Sequence, residues 1–128
     1  MSAPTFRKQE RIVSTRLIET LFEKGSSHSV AAFPLRAVYL EIDQQTDDAP
    51  VQVLISVPKK RFKHAVDRNR VKRQVREAYR HHKDAVMEKV QEGRQLLIAF
   101  IWLSDQHYPS AVVGKQVSSL IAQIAKKI

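Results

Sequence analysis

Two apolar runs, Val51–Val57 and Leu96–Leu103, stand on either side of a long segment whose apolar residues recur at helical spacing. Both runs read as buried strands, the first mostly β-branched and so expected at the centre of a sheet. Between them, Val71, Val75 and Ala78 mark one face of a helix. It begins near His64 or Ala65 and runs to about His82, or on to Val90, with Gly93 stopping it. Upstream, Leu17, Ile18, Leu21 and Phe22 form the apolar stripe of a helix over Ser14–Lys24. Ser14 or Thr15 caps its start and Gly25 suits its C′ position. A loop, GSSHS, leads to an alternating strand over Phe33–Ile42, and residues 43–50 make a polar, acidic turn. After the loop Ser104–Pro109, Val113, Val117, Leu120, Ile121 and Ile124 predict a last amphipathic helix over Ala111–Ile128. The 128 residues suit one domain. The expected fold is α+β, a single-domain α-β-β-(β)-α-β-α sandwich. Its central sheet is mostly antiparallel with helices packed on it, and residues 1–9 form a flexible N-terminal tail.

Charge is concentrated where the fold is most constrained. Residues 59–80 hold ten cations, Lys59, Lys60, Arg61, Lys63, Arg68, Arg70, Lys72, Arg73, Arg76 and Arg80, against Asp67 and Glu77. That leaves +8 of the chain's net +9 in one segment. A solubility surface is spread out; charge gathered on one element is the footprint of a polyanionic partner. Advancing about 100° per residue, Arg68, Lys72, Arg76, Asn69, Arg80 and Arg73 share one arc of about 140°. Val71, Val75 and Ala78 fall on the adjoining face, with Tyr79 on the seam and Arg70, Gln74 and Glu77 toward solvent. An ordinary solvated helix face mixes signs for i,i+4 pairing. This arc has no acid. Guanidinium forks suit phosphate, and the Asn69 amide both donates and accepts.

A major-groove reading helix would carry a similar stripe, but it usually sits in a helical turn motif, and this one lies between strands. Strand-rich platforms with aromatic residues are more typical of RNA and single strands. Phe22, Phe33, Tyr39 and Phe62 offer stacking faces. Core packing is the alternative for each, and for Phe33 alone it is the stronger expectation.

Enzyme chemistry finds little support. The acids are scattered except for Asp43, Asp47 and Asp48, which read as a turn. The five histidines lack ligand spacing, and adjacent His81 and His82 point apart at a helix end. No glycine-flanked serine elbow or glycine-rich phosphate loop is present. The chain has no cysteine, which removes disulfides and thiolate chemistry and fits a cytoplasmic setting. No run of apolar residues is long enough to span a membrane. No catalytic residue and no metal ligand is expected in the chain itself.

The segment SVPKKRFKHAVDRNRVKRQVREAYR, Ser56 to Arg80, resembles the signature of the bacterial ribonuclease P protein family. The matching positions are Val57, Lys59 and Lys60; Ala65 and Val66; Arg68, Asn69 and Arg70; Lys72 and Arg73; Arg76 and Glu77. Weaker similarity, through Arg11-Ile12 and Leu21-Phe22-Glu23-Lys24-Gly25, extends it over roughly residues 10–124. The resemblance implies a left-handed crossover between strands, an exception to the usual rule. It implies that the protein joins a large catalytic RNA, and that the pair removes the 5′ leader of precursor tRNA with magnesium ions held mainly by the RNA. By position, Lys59, Lys60, Arg68, Asn69, Arg70, Lys72, Arg73, Arg76 and Arg80 would meet the catalytic RNA. A cleft between the first helix and the sheet would hold the single-stranded leader through Arg11, Ile18, Phe22, Phe33 and Tyr39. Phe22 matches one family aromatic, whereas Ile18 stands where the other usually lies and Leu17 replaces an acid. No membrane and no obligate protein partner is implied. A ribosomal or other structural RNA-binding protein without a nuclease role is the main alternative, ahead of a DNA-binding regulator or a basic membrane-surface protein.

Overall fold

The computed structural model describes residues 10–12, 14–23, 25, 27–45, 47 and 49–128; the expected tail, 1–9, lies outside them. The elements are α1 (Thr15–Phe22), β1 (His28–Ala32), β2 (Leu35–Asp43), β3 (Val51–Ser56), α2 (Ala65–His82), α3 (Asp84–Met87), β4 (Arg94–Trp102) and α4 (Ser110–Lys127). The sheet order is β1-β2-β4-β3. β1 and β2 form an antiparallel hairpin, β2 runs antiparallel to β4, and β3 runs parallel to β4 with Val53 opposite Ile98. α2 and α3 therefore make the crossover between two parallel neighbours.

Alternation along the strands sorts side chains onto two faces. One carries Leu35, Ala37, Tyr39, Val51, Val53, Leu96, Ile98, Phe100 and Trp102 against α2, α3 and α4, through Val71, Val75, Tyr79, Val86, Val113, Val117, Leu120, Ile121 and Ile124. The other carries Val38, Leu97 and Ala99 against Ile12, Leu17 and Leu21 from α1 and the chain before it. The described residues form a three-layer sandwich, with α1 and Ile12 on one side of the sheet and α2, α3 and α4 on the other. β4 has both faces buried and is the central strand.

β3 was expected at the centre and lies at the edge. Its apolar composition has a different cause: α2 packs on one face, and the N-terminal segment closes the outer edge. Arg11 bridges to Val53 in parallel, and the Ile12 N–H donates to the Val53 carbonyl at 3.1 Å. The expected GSSHS loop is also partly strand, since β1 begins at His28. Only Val30 of β1 is fully buried, so the hairpin has little apolar signature. α2 spans Ala65–His82 as expected; the alternative continuation to Val90 is broken at Lys83, after which the short α3 follows.

Local signals set the element ends. The Ser14 side chain accepts from the Leu17 N–H and caps α1. Gly25 and Gly93 adopt positive φ, 87° and 83°, where a side chain would be strained, and they turn the chain into β1 and β4. Gln95 is buried; its Oε1 accepts from the Gln45 N–H, and Arg94 pairs with Asp43 at 2.6 Å. Both hold the turn between β2 and β3; Asp43, expected in that turn, is the last residue of β2, where it pairs in register with Arg94.

Tyr79, expected on the seam of α2, is fully buried. Burial first, then the Glu10 and Asp84 carboxylates, push its phenol well above the ordinary 10.0. A raised folded-state value means that the unfolded chain ionises first. The contribution is complete below pH 10.0 and is lost as pH rises beyond it. The midpoint of urea unfolding is expected to fall more between about pH 9 and about pH 11 in the native protein than in Tyr79→Phe, by up to one proton's linkage. Equal losses in the two proteins would show that Tyr79 is not the titrating group.

Candidate nucleic-acid interface

α2 is fixed to the sheet by Val71, Val75, Ala78 and Tyr79, and this rotation decides where its cations point. Before it, Pro58 to Lys63 make a tight turn, with the Arg61 N–H donating to the Pro58 carbonyl at 3.0 Å. Lys59, Lys60 and Lys63 are exposed on that turn. Phe62 is buried and stacks on His107 with ring centroids 4.5 Å apart. Of the two expected roles for Phe62, packing is the one it fills.

The two acids of the basic segment are both engaged. Asp67 Oδ1 lies 3.0 Å from His107 Nε2. Glu77 pairs with Arg80 and lies 3.0 Å from His81. The hydrogen bond from His81, and then that from Arg80, hold the Glu77 carboxyl below the usual carboxylate range. Arg68 also has a structural task. Its Nη1 donates to the Phe62 and Lys63 carbonyls, both at 2.9 Å, and so fastens the preceding turn to the helix. Asn69, Arg70, Lys72, Arg73 and Arg76 are left exposed or half-buried, and among the described residues none of these cations has a carboxylate partner.

Arg11, assigned from the sequence to the cleft of the first helix, is brought beside this stripe. Together with Arg73, Arg76, Glu77 and Arg80 it lines a depression of about 260 Å³. A neighbouring one of about 180 Å³ runs from Arg11 and Ile12 over Val53–Ile55 to Lys72 and Arg76. Four guanidiniums converge there on a single acid. The placement depends on a buried ion pair: Lys83 Nζ donates to both Glu10 oxygens, at 2.9 and 3.1 Å. With side-chain exposures of 13% and 8%, this pair clamps the N-terminal segment to the end of α2. No sequence signal links positions 73 residues apart.

Gln74, expected toward solvent, donates instead to the Tyr108 carbonyl at 3.0 Å and to Ser110 Oγ at 3.1 Å. α4 packs along that flank of α2, which the helical wheel alone could not include. Arg70 and Glu77 are exposed as expected.

The residues expected in the first-helix cleft divide between the two sides of the sheet. Ile18 is half-buried and Phe22 is 45% exposed, both on α1. Tyr39, at 3% exposure, belongs to the core under α2 and α4, on the opposite face from α1. Phe33 is 61% exposed rather than packed in the core, and it sits by α4, its ring 6.4 Å from that of Tyr108. Neither joins α1, because β2 alternation turns Leu35, Ala37 and Tyr39 to the α4 side. The α1 side holds instead an exposed cation, Arg36, paired across the sheet with Ala31 and Ile101. The same alternation was legible in the sequence and could have singled it out.

Fold and site together define a class: a small α+β domain that presents an acid-poor helix face to a polyanion. The family model described as Ribonuclease P matches residues 6–123. A ribonuclease P protein component of Porphyromonas gingivalis is 40% identical, covering 99% of this chain and 93% of its own. One of Chlorobium phaeobacteroides is 34% identical, covering 94% and 88%. Among solved structures, a Staphylococcus aureus RNase P protein mutant with defective mRNA degradation activity superposes with TM-score 0.70 at 23% identity, covering 93% of this chain and 90% of that one. The Thermotoga maritima RNase P protein gives 0.64 at 20%, covering 91% and 97%; both likenesses concern the fold. The chain belongs to the ribonuclease P protein component family.

Proposed function

We propose that this chain, as a ribonuclease P protein, docks on the catalytic RNA through the Lys72–Arg73–Arg76 face of α2, extended by Arg11, Asn69, Arg70, Arg80 and the Lys59–Lys60 turn. The observation that carries the reading is a row of cations held outward by a sheet-packed helix, with the local acids already spent on His107, His81 and Arg80. Such a face gains by releasing counterions from a phosphate backbone. Arg68 acts mainly by holding the Phe62–Lys63 turn in place.

The α1 side of the sheet then receives the single-stranded 5′ leader of precursor tRNA. Phe22 offers a stacking ring, Ile18 an apolar wall and Arg36 a cation for the leader backbone. The complex acts in the cytoplasm and hydrolyses one phosphodiester to give the mature tRNA 5′ end. Catalysis would belong to the RNA, whose bound magnesium would supply the Lewis-acid chemistry, while the residues of this chain hold and position the RNA and the leader. Among the described residues no three His, Asp or Glu side chains gather into a metal-ligand set, and no step is assigned to an ion on the protein. Family membership favours this reading over a ribosomal or other structural RNA-binding role.

The test is reconstitution. Protein, the partner RNA and precursor tRNA mixed in magnesium are expected to release the leader, and protein alone is expected to cleave nothing. Leader removal by RNA-free protein would reverse the assignment of roles.

A further inference from the structure

Phe33 is a large apolar side chain that the fold leaves in solvent, yet its backbone is tightly held. Gln116 Nε2 donates to the Phe33 carbonyl at 2.8 Å, and the Leu103 N–H donates to the Pro34 carbonyl at 2.8 Å. The β1–β2 turn is therefore fastened both to α4 and to the end of β4. The exposed ring stands perpendicular to that of Tyr108, which in turn stands against buried Trp102 with centroids 5.8 Å apart. A rigid scaffold thus presents an exposed aromatic ring, an arrangement that loses little entropy on binding.

The surroundings specify the occupant. α4, which carries Gln116, contains no acid from Ser110 to Lys127. Lys115, beside Gln116, is exposed and has no carboxylate partner among the described residues. The nearest acid along the chain before α4, Asp105, is paired with Arg61 at 3.4 Å. A single ring on a turn held by an α4 amide is much smaller than a protein interface, which needs about 800 Å² per partner. It matches one base next to one phosphate. The surface is also continuous with the basic helix, because the Tyr108 carbonyl is held by Gln74 of α2.

We propose that Phe33, packed against Tyr108, is a second RNA contact, on the α4 side of the sheet, which stacks one unpaired base of the RNA that α2 docks on, with exposed Lys115 of the same helix as Gln116 meeting its phosphate backbone. The proposal rests on the RNA-binding reading above and adds a contact on the side away from α1.

Phe33→Ala, Phe33→Leu, Phe33→Trp, Lys115→Ala and Lys72→Ala test it, each titrated with the partner RNA. Phe33→Ala and Phe33→Leu are expected to weaken binding about tenfold, since bulk without a π-face does not stack. Phe33→Trp should bind as the native protein does, and its new indole emission should be quenched by the RNA while buried Trp102 contributes a constant background. Lys115→Ala should weaken binding about threefold and flatten the salt dependence by about one contact. Native affinity in Phe33→Ala, or unquenched emission in Phe33→Trp, overturns the stacking site, while a loss in Lys72→Ala still supports the α2 interface. Native affinity in Lys72→Ala as well would instead remove the underlying reading. A dimer that dissociates on Phe33→Ala with RNA affinity unchanged would assign the ring to a second copy and overturn the proposal.

Discussion

Replacing Lys72, Arg73 and Arg76 together by alanine is expected to weaken binding to the partner RNA by about 100-fold near 0.1 M salt, and to lower the slope of log affinity against log salt by about 2 to 3. The reason is geometric. These positions run from Lys72, at the edge of the apolar stripe, through Arg76 to Arg73 on the far side of the helix, and none can turn toward the sheet without moving Val71 and Val75, which are fully buried. No carboxylate among the described residues competes for them. The comparison is Lys126→Ala with Lys127→Ala, which removes two exposed cations at the far end of α4 and is expected to leave the slope nearly unchanged. Thermal unfolding should stay close to that of the native protein in both variants, because the charged ends reach into water. A triple variant with an unaltered salt slope would show that these cations meet no phosphate.

The second large effect is on stability. Lys83→Ala leaves the Glu10 carboxylate in a site where its side chain is 8% exposed, without the ammonium that neutralises it. Removing one partner of a buried pair destabilises by about 3–5 kcal/mol, because the remaining charge is desolvated without compensation. That is a large share of the roughly 5–15 kcal/mol that separates a domain of this kind from its unfolded chain. Urea unfolding measures it. Glu10→Gln combined with Lys83→Met, which removes both charges, is expected to recover much of the loss. The same Lys83→Ala variant should also bind the partner RNA more weakly under conditions where it is folded, since Arg11 follows Glu10 and the clamp sets its position over Arg73, Arg76 and Arg80. A loss below about 1 kcal/mol would mean that Glu10 reaches water in solution and that the clamp is an ordinary surface pair.

The order and kind of most elements could be read from the chain, because periodicity and burial agree in α1, β2, α2, β4 and α4. Errors arose where long-range partners decide. β3 has the composition of a central strand, yet it is an edge strand shielded by Arg11 and Ile12, which no local pattern foretells. The optional third strand of the expected order is β1, and its position is hard to read because a hairpin strand with one buried side chain looks like a loop. At the interface, the rotation of α2 was legible from Val71, Val75 and Ala78, and with it the outward set Lys72, Arg73 and Arg76. Gln74, expected toward solvent, and Arg68 have tasks the helical wheel does not show for one reason: each donates to a carbonyl outside its own helix, at Tyr108 and at Phe62 and Lys63. Tyr39 and Phe33, aromatic residues expected in the first-helix cleft, lie on the α4 side, since strand alternation turns Tyr39 with Leu35 and Ala37 and leaves Arg36 toward α1.

The absence of cysteine opens a direct test of the docking face. Asn69→Cys on the stripe and Glu92→Cys in the turn before β4 can each carry a tethered hydroxyl-radical source on an otherwise unreactive chain. With the partner RNA bound, the source at position 69 is expected to cut a few neighbouring nucleotides of that RNA, and the source at position 92 to cut little or nothing. Strong cleavage from position 92 with none from position 69 would contradict the docking of RNA on α2.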